Sequence, residues 1–130
     1  MCVCTRARKY IQRGENRAFP DVAAIGVDFE VVLHGFVFRV SGTSASSPVV
    51  AGITALLNEA RLRHGKAPLG FVTPFFYHAA ALKAGAFNDI VKGNNGMGFV
   101  GFDAIEGWDP VTGLGTPNFG VLLEVALALP

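Results

Sequence analysis

One tetrapeptide constrains this chain more than any other. Ser41-Gly42-Thr43-Ser44 stands where an apolar, β-branched run gives way to apolar residues at helical spacing. Upstream, Asp21–Val27 and Phe29–Phe36 read as strands around a short turn at Asp28, and Phe38–Val40 reads as a further strand. Downstream, Val49, Val50, Ile53, Leu56, Leu57 and Ala60 recur with the period of a helix, which predicts a helix from about Ala45 to Arg63. Ser47 and Pro48 suit its start, because proline is pre-organised there and lacks an amide that would be orphaned. Arg61, Arg63 and His64 before Gly65 suit its end, where cations meet the negative pole of the helix dipole. So apolar a helix is expected to be deeply buried.

The remaining pattern continues the alternation. A second helix is expected from Thr73-Pro74 through FFYHAAALKA to Gly85. From Asn88 to Gly115 the chain is glycine-rich, carries the turn signal Asn94-Asn95-Gly96, and reads as loops with short strands. Thr116-Pro117 can cap and open a last helix that runs to about Leu129. Strand and helix alternate, which favours an α/β architecture with a buried, partly parallel sheet. At 130 residues the chain allows one domain at most, and 51% hydrophobic against 16% charged residues excludes a disordered tail.

Charge is uneven along the chain. Residues 1–17 carry Arg6, Arg8, Lys9, Arg13 and Arg17 against Glu15, whereas acids outnumber bases in the rest. Residues 1–16 are therefore read as a solvated basic leader, with polyanion binding as a weaker alternative, and residues 17–130 as the folded unit. The overall net charge of +1 argues against a nucleic-acid binder. Pro48–Leu57, the longest apolar stretch, is far below the roughly 20 residues of a membrane-spanning helix, so no membrane partner is expected. The N-terminal residues have charges with no apolar run behind them, unlike a signal peptide. Cys2 and Cys4 are too close for an ordinary disulfide and do not decide the compartment.

Ser44 is the most informative single residue. It sits near unpaired backbone amides and the positive end of a helix dipole, which can stabilise an oxyanion developing on a substrate carbonyl. Five hydroxyl residues crowd this turn (Ser41, Thr43, Ser44, Ser46 and Ser47), and an arbitrary helix start of this composition is more simply a set of capping residues. The full octapeptide SGTSASSP changes that weighing. It resembles the nucleophile segment of the sedolisins, the serine-carboxyl peptidases of the subtilisin-like clan. The resemblance extends through RAFPDVAA (Arg17–Ala24) and GWDPVTGLGTPNF (Gly107–Phe119), three motifs in the same order.

The resemblance implies the C-terminal portion of a subtilisin-like α/β fold, with a mostly parallel sheet flanked by helices and a calcium-binding loop region. It implies Ser44 as the nucleophile of a serine-type peptidase that acts on peptide or protein substrates by acyl transfer at acid pH. Two carboxylates and free glycine carbonyls in the Gly-rich region are the hard oxygen ligands calcium takes. By the resemblance, one Ca2+ is held by the carboxylates of Asp89 and Asp109 and the carbonyls of Ile90, Ile105 and Gly107. The family usually has glycine where this chain has Ile105, a substitution that matters only if the backbone there needs a positive φ. Asp21 matches a recurrent family position and reads as structural. Sedolisins are mostly secreted or lysosomal.

The rest of the catalytic machinery is not legible. In sedolisins the base is a Glu supported by an Asp on one helix, with a further Asp at the oxyanion hole, all well upstream of the serine. No Glu-x-x-x-Asp pair precedes Ser44 here. Glu106 and Asp109 have the wrong spacing, and His34, His64 and His78 match no triad motif. The chain is accordingly expected to be inactive by itself and to need the N-terminal part of a catalytic domain as partner. The competing expectation is a non-catalytic, calcium-stabilised module or an inactive remnant.

Overall fold

The computed structural model describes residues 17–96 and 101–130. The basic leader with Cys2 and Cys4 lies outside the described residues. In order, the elements are β1 (Phe29–Leu33), β2 (Phe36–Val40), α1 (Thr43–Arg63), α2 (Val72–Leu82), β3 (Phe87–Asn88), β4 (Thr116–Pro117) and α3 (Phe119–Ala128).

Helices meet in the core, and the β1–β2 hairpin stays outside it. Phe75, Phe76 and Ala79 of α2 pack with Leu122, Val125 and Ala126 of α3, Leu57 of α1, and Ala86. The spacing of these residues on α2 and α3 puts each set on one helix face, which is the face that must be hidden from water. Phe76 meets Phe87 edge to face, with ring centroids 5.7 Å apart. Arg61 of α1 is also buried, and its guanidinium donates to the carbonyls of Ala67, Ala126 and Pro130. A cation against the last carbonyls of α3 satisfies groups that have no partner within that helix.

β1 and β2 form an antiparallel hairpin with Phe29 opposite Val40 and Leu33 opposite Phe36. The two-residue loop is His34-Gly35, with φ of 50° and 82°. That pair of positive φ values matches the twist of the flanking strands, so the chain turns where the sequence pattern had suggested an unbroken strand to Phe36. Asp28 turns as expected, at φ 56°. One hairpin face is wholly apolar, carrying Phe29, Val31, Leu33, Phe36, Phe38 and Val40. The other pairs Val32 with Val37 and Glu30 with Arg39, the last as an ion pair at 3.7 Å.

Several expectations need correction. Among the described residues the two sheets are both two-stranded and antiparallel, so the mostly parallel sheet is not found among them. Asp21–Val27 is not a strand: its backbone bonds go to Leu114, Gly115 and Gly42 in turn, and partners on different segments make no ladder. α1 is not deeply buried, since only Leu57 and Arg61 of its residues are, while Leu56 and Leu62 face outward. An apolar helix packs to the extent that neighbours are there to meet it, and here α3 covers one side. Thr116-Pro117 pairs with Phe87-Asn88 instead of opening α3, which starts at Phe119 behind Asn118.

Candidate active site and loop region

α1 begins at Thr43, two residues earlier than the hydrophobic period suggested, and this places Ser44 within its first turn. Gly42 is the N-cap, with φ 156° and ψ 163°, a backbone setting that is essentially restricted to glycine. Ala45 N–H is bonded to Gly42 O at 2.9 Å, leaving the amides of Thr43 and Ser44 at the positive pole with no helical carbonyl to meet. Pro48 lies inside the helix and has no N–H to donate to the Ser44 carbonyl one turn earlier. Ser44 itself is exposed. The first turn therefore presents a hydroxyl, amides with no acceptor among the described residues and a helix dipole at one end.

The segment Ala24–Asp28 is laced to this turn. Ser46 Oγ donates to Ala24 O at 3.0 Å, Gly42 N–H donates to Gly26 O at 2.7 Å, and Asp28 N–H donates to Ser41 Oγ at 3.0 Å. The residues just before that segment are anchored as well. Arg17 and Tyr77 both donate to the Asp21 carboxylate, and Trp108 Nε1 donates to Pro20 O at 3.1 Å. The hydrogen bond and charge of Asp21 raise the Arg17 guanidinium above its ordinary value. Partial burial, and then the bond to Asp21, push the Tyr77 phenol up. Asp21 thus has the structural surroundings expected from its motif. In sequence Ser46 reads only as one of several capping residues and Arg17, Tyr77 and Trp108 carry no assigned contact, because nothing in their local pattern shows which distant group each one meets.

Asp89 and Asp109 grip the same loop. Asp89 Oδ2 accepts from Gly107 N–H at 2.7 Å, and Asp109 Oδ2 accepts from Ile105 N–H at 3.1 Å. Asp109 Oδ1 takes the amides of Val111 and Thr112, each at 2.8 Å. Asp109 is 0% exposed, yet among the described residues no cationic side chain pairs with it. A buried carboxylate supported by neutral donors is a setting that suits a bound cation. Gly107 has φ 84°, whereas Ile105 is absent from the residues with positive φ, so its side chain is no obstacle there. Ile90 follows Asp89 and is half-buried. The carboxylates and neighbouring carbonyls are oxygen ligands of the kind calcium takes, although no cluster of three or more acidic, His or Cys side chains stands among the described residues.

Among the described residues, no His, Asp or Glu is hydrogen-bonded to Ser44. His64 Nδ1 lies 2.8 Å from Ala60 O at the end of α1, His34 is in the hairpin turn, and His78 is exposed on α2. Asp109 is buried and its oxygens are engaged, which removes it as a base.

Residues 4–92 match the subtilase family. Physarolisin of Physarum polycephalum is 48% identical over 120 residues, covering 88% of this chain and 21% of that protein. Tripeptidyl-peptidase sed1 of Aspergillus fumigatus is 48% identical over 116 residues, covering 88% of this chain and 17% of that protein. Pseudomonas sedolisin, a serine-carboxyl proteinase solved with two molecules of pseudo-iodotyrostatin, superposes with a TM-score of 0.66 at 33% identity, covering 73% of this chain and 25% of that one. The chain thus spans about a fifth of the length of the curated relatives it matches. With the Gly-Thr-Ser turn opening α1 in a chain of this similarity, the chain belongs to the subtilase family, in its sedolisin branch.

Proposed function

We propose that this chain supplies the nucleophile-bearing part of a serine-carboxyl peptidase that cleaves peptides or proteins by acyl transfer. The observation that carries the reading is Ser44, exposed in the first turn of α1 behind the Gly42 N-cap. Its Oγ attacks the scissile carbonyl carbon while its proton passes to a carboxylate base. The amine leaves with a proton as the C–N bond breaks, and water then releases the acyl group. Developing charge on the carbonyl oxygen is met by N–H donors already oriented, so no reorganisation is needed at the moment of reaction. By the family resemblance, the base and the oxyanion Asp come from outside residues 17–130. A carboxylate base suits acid conditions.

One Ca2+ is proposed on Asp89 and Asp109, with the carbonyls of Ile90, Ile105 and Gly107. Bound there, the ion would neutralise the buried Asp109 charge and tie the segment after β3 to the 105–109 loop. The uncovered apolar face of the hairpin, together with the exposed side of α1, supports packing against further polypeptide of the same domain. That no His, Asp or Glu is hydrogen-bonded to Ser44 among the described residues favours the second reading, a calcium-stabilised module without activity of its own.

Peptide hydrolysis at acid pH by the protein purified from its source, compared with a Ser44→Ala variant, separates the two. Turnover lost in the variant supports the peptidase. Equal turnover in both removes Ser44 as nucleophile, and no turnover in either favours the module. The 130-residue chain alone is expected to give none, so turnover by that chain, abolished in Ser44→Ala, would refute the need for an outside base.

A further inference from the structure

Segment Asp21–Asp28 runs between two places that the proposed function treats separately. At one end it is held by Tyr77 and the backbone of Leu114 and Gly115, with Trp108 bonded to Pro20 just before it. At the other it reaches the Ser44 turn through bonds to Ser41, Gly42 and Ser46, which bracket Ser44 on both sides. We propose that this segment is a strap that sets the position of Ser44, with Gly26 and Ser46 as its positioning residues. The proposal rests on Ser44 being the nucleophile.

The geometry at Gly26 carries the inference. A Cβ built there would lie 2.4 Å from Ser46 Oγ and 2.9 Å from Gly42 O, distances at which something must shift. Gly26 has no positive φ, so its backbone accepts any residue, and the need for glycine is one of approach alone. What would be pushed is the N-cap of α1 and the residue two after Ser44. Ser46 adds the only side chain among the described residues that is bonded from α1 to the strap, through Ala24 O. With both in place, the strap holds the first turn at a fixed distance from the loop that carries Asp109, since Leu114 N–H donates to Asp21 O at 2.9 Å. The position of a nucleophile relative to its substrate matters steeply, and a supporting contact of this kind acts through it without touching substrate.

Two measurements on Gly26→Ala, Ser46→Ala and the double variant test this. The first is amide hydrogen exchange at Gly42 and Ala45 in the 130-residue chain, where Gly42 N–H is bonded to the strap. The second is the rate at which a phosphonofluoridate labels Ser44 in the protein from its source. Gly26→Ala is expected to speed exchange at Gly42 by about tenfold, and Ser46→Ala by about fivefold, as befits one lost hydrogen bond. Labelling should slow in both. Removing Oγ relieves the closest contact of the new Cβ, so the double variant should be affected by less than the product of the single effects. Gly52→Ala, at a helix position with open space around it, should change neither. Should Gly26→Ala fail to fold, Ser46→Ala still decides. Unchanged exchange, unchanged labelling of a reactive parent, or fully multiplicative effects would each overturn the strap. If the parent itself does not label, the nucleophile reading fails, and exchange decides only whether the strap holds the turn.

Discussion

Replacing Asp109 by asparagine isolates what one buried carboxylate does for the 105–115 loop. In the native chain Oδ1 accepts from Val111 and Thr112 N–H, and Oδ2 accepts from Ile105 N–H. An asparagine keeps the first pair if its oxygen takes the Oδ1 place, but its NH2 then faces the Ile105 amide, donor against donor. Turning the side group over sacrifices two bonds to save one, so the first arrangement holds. One buried N–H left without an acceptor costs about 1–3 kcal/mol. For a chain of this length a loss of about 2 kcal/mol lowers the thermal midpoint by roughly 8 °C. Asp109→Ala removes both acceptor oxygens, leaves all three N–H groups and the Thr112 hydroxyl without them, and should cost about twice as much or more. Calorimetry or circular dichroism in chelator, so that no cation contributes, reads both variants. A midpoint within a degree of the parent for Asp109→Asn would show that the carboxylate does not organise the loop, and the reasoning from its burial would fail.

Other consequences can be checked in the same way. Leu122→Ala opens a void at a 0% exposed site of α3 within the helical core and should cost about 2–5 kcal/mol by urea denaturation. Gly113→Ala should lose about 2 kcal/mol or more, because φ there is 61° and the new Cβ would lie 2.3 Å from Asp21 O; an unchanged urea midpoint would refute the close approach. The Tyr77 phenol is raised in the folded state, so its contribution is complete below the unfolded pKa and fades as pH rises through the folded one. The parent-minus-Tyr77→Phe absorbance difference should accordingly titrate above the ordinary phenol value of about 10. Calcium should raise the melting temperature of the parent and leave an Asp89→Ala variant unmoved, with equal shifts in both arguing against the proposed ligands.

How much could be read beforehand differs from element to element. Helix α1 was legible because Val49, Val50, Ile53, Leu56, Leu57 and Ala60 keep one period, yet its burial was not, because period says which residues share a face and not whether anything lies against it. Asp21–Val27 has strand composition and is not a strand, since a ladder needs a continuous partner and its bonds are shared among separate segments. The hairpin turn at His34-Gly35 was missed because a histidine at positive φ is unusual and carries no sequence signal as strong as Asn-Gly.

For the candidate site, local sequence determined the turn chemistry: a Gly-Thr turn leading into a helix, a serine beside the N-terminal end of that helix, and an oxygen-rich loop with Asp89 and Asp109. These depend on neighbouring residues, and short-range conformational preference is written in short stretches of chain. Tertiary structure alone decided the long-range partners. It set Tyr77 and Trp108 against the segment at Asp21, Ser46 against Ala24, Arg61 against the end of α3, and the two carboxylates on one loop. Each of those contacts joins residues whose separation along the chain carries no periodic signal, so each exists only once packing has brought the segments together.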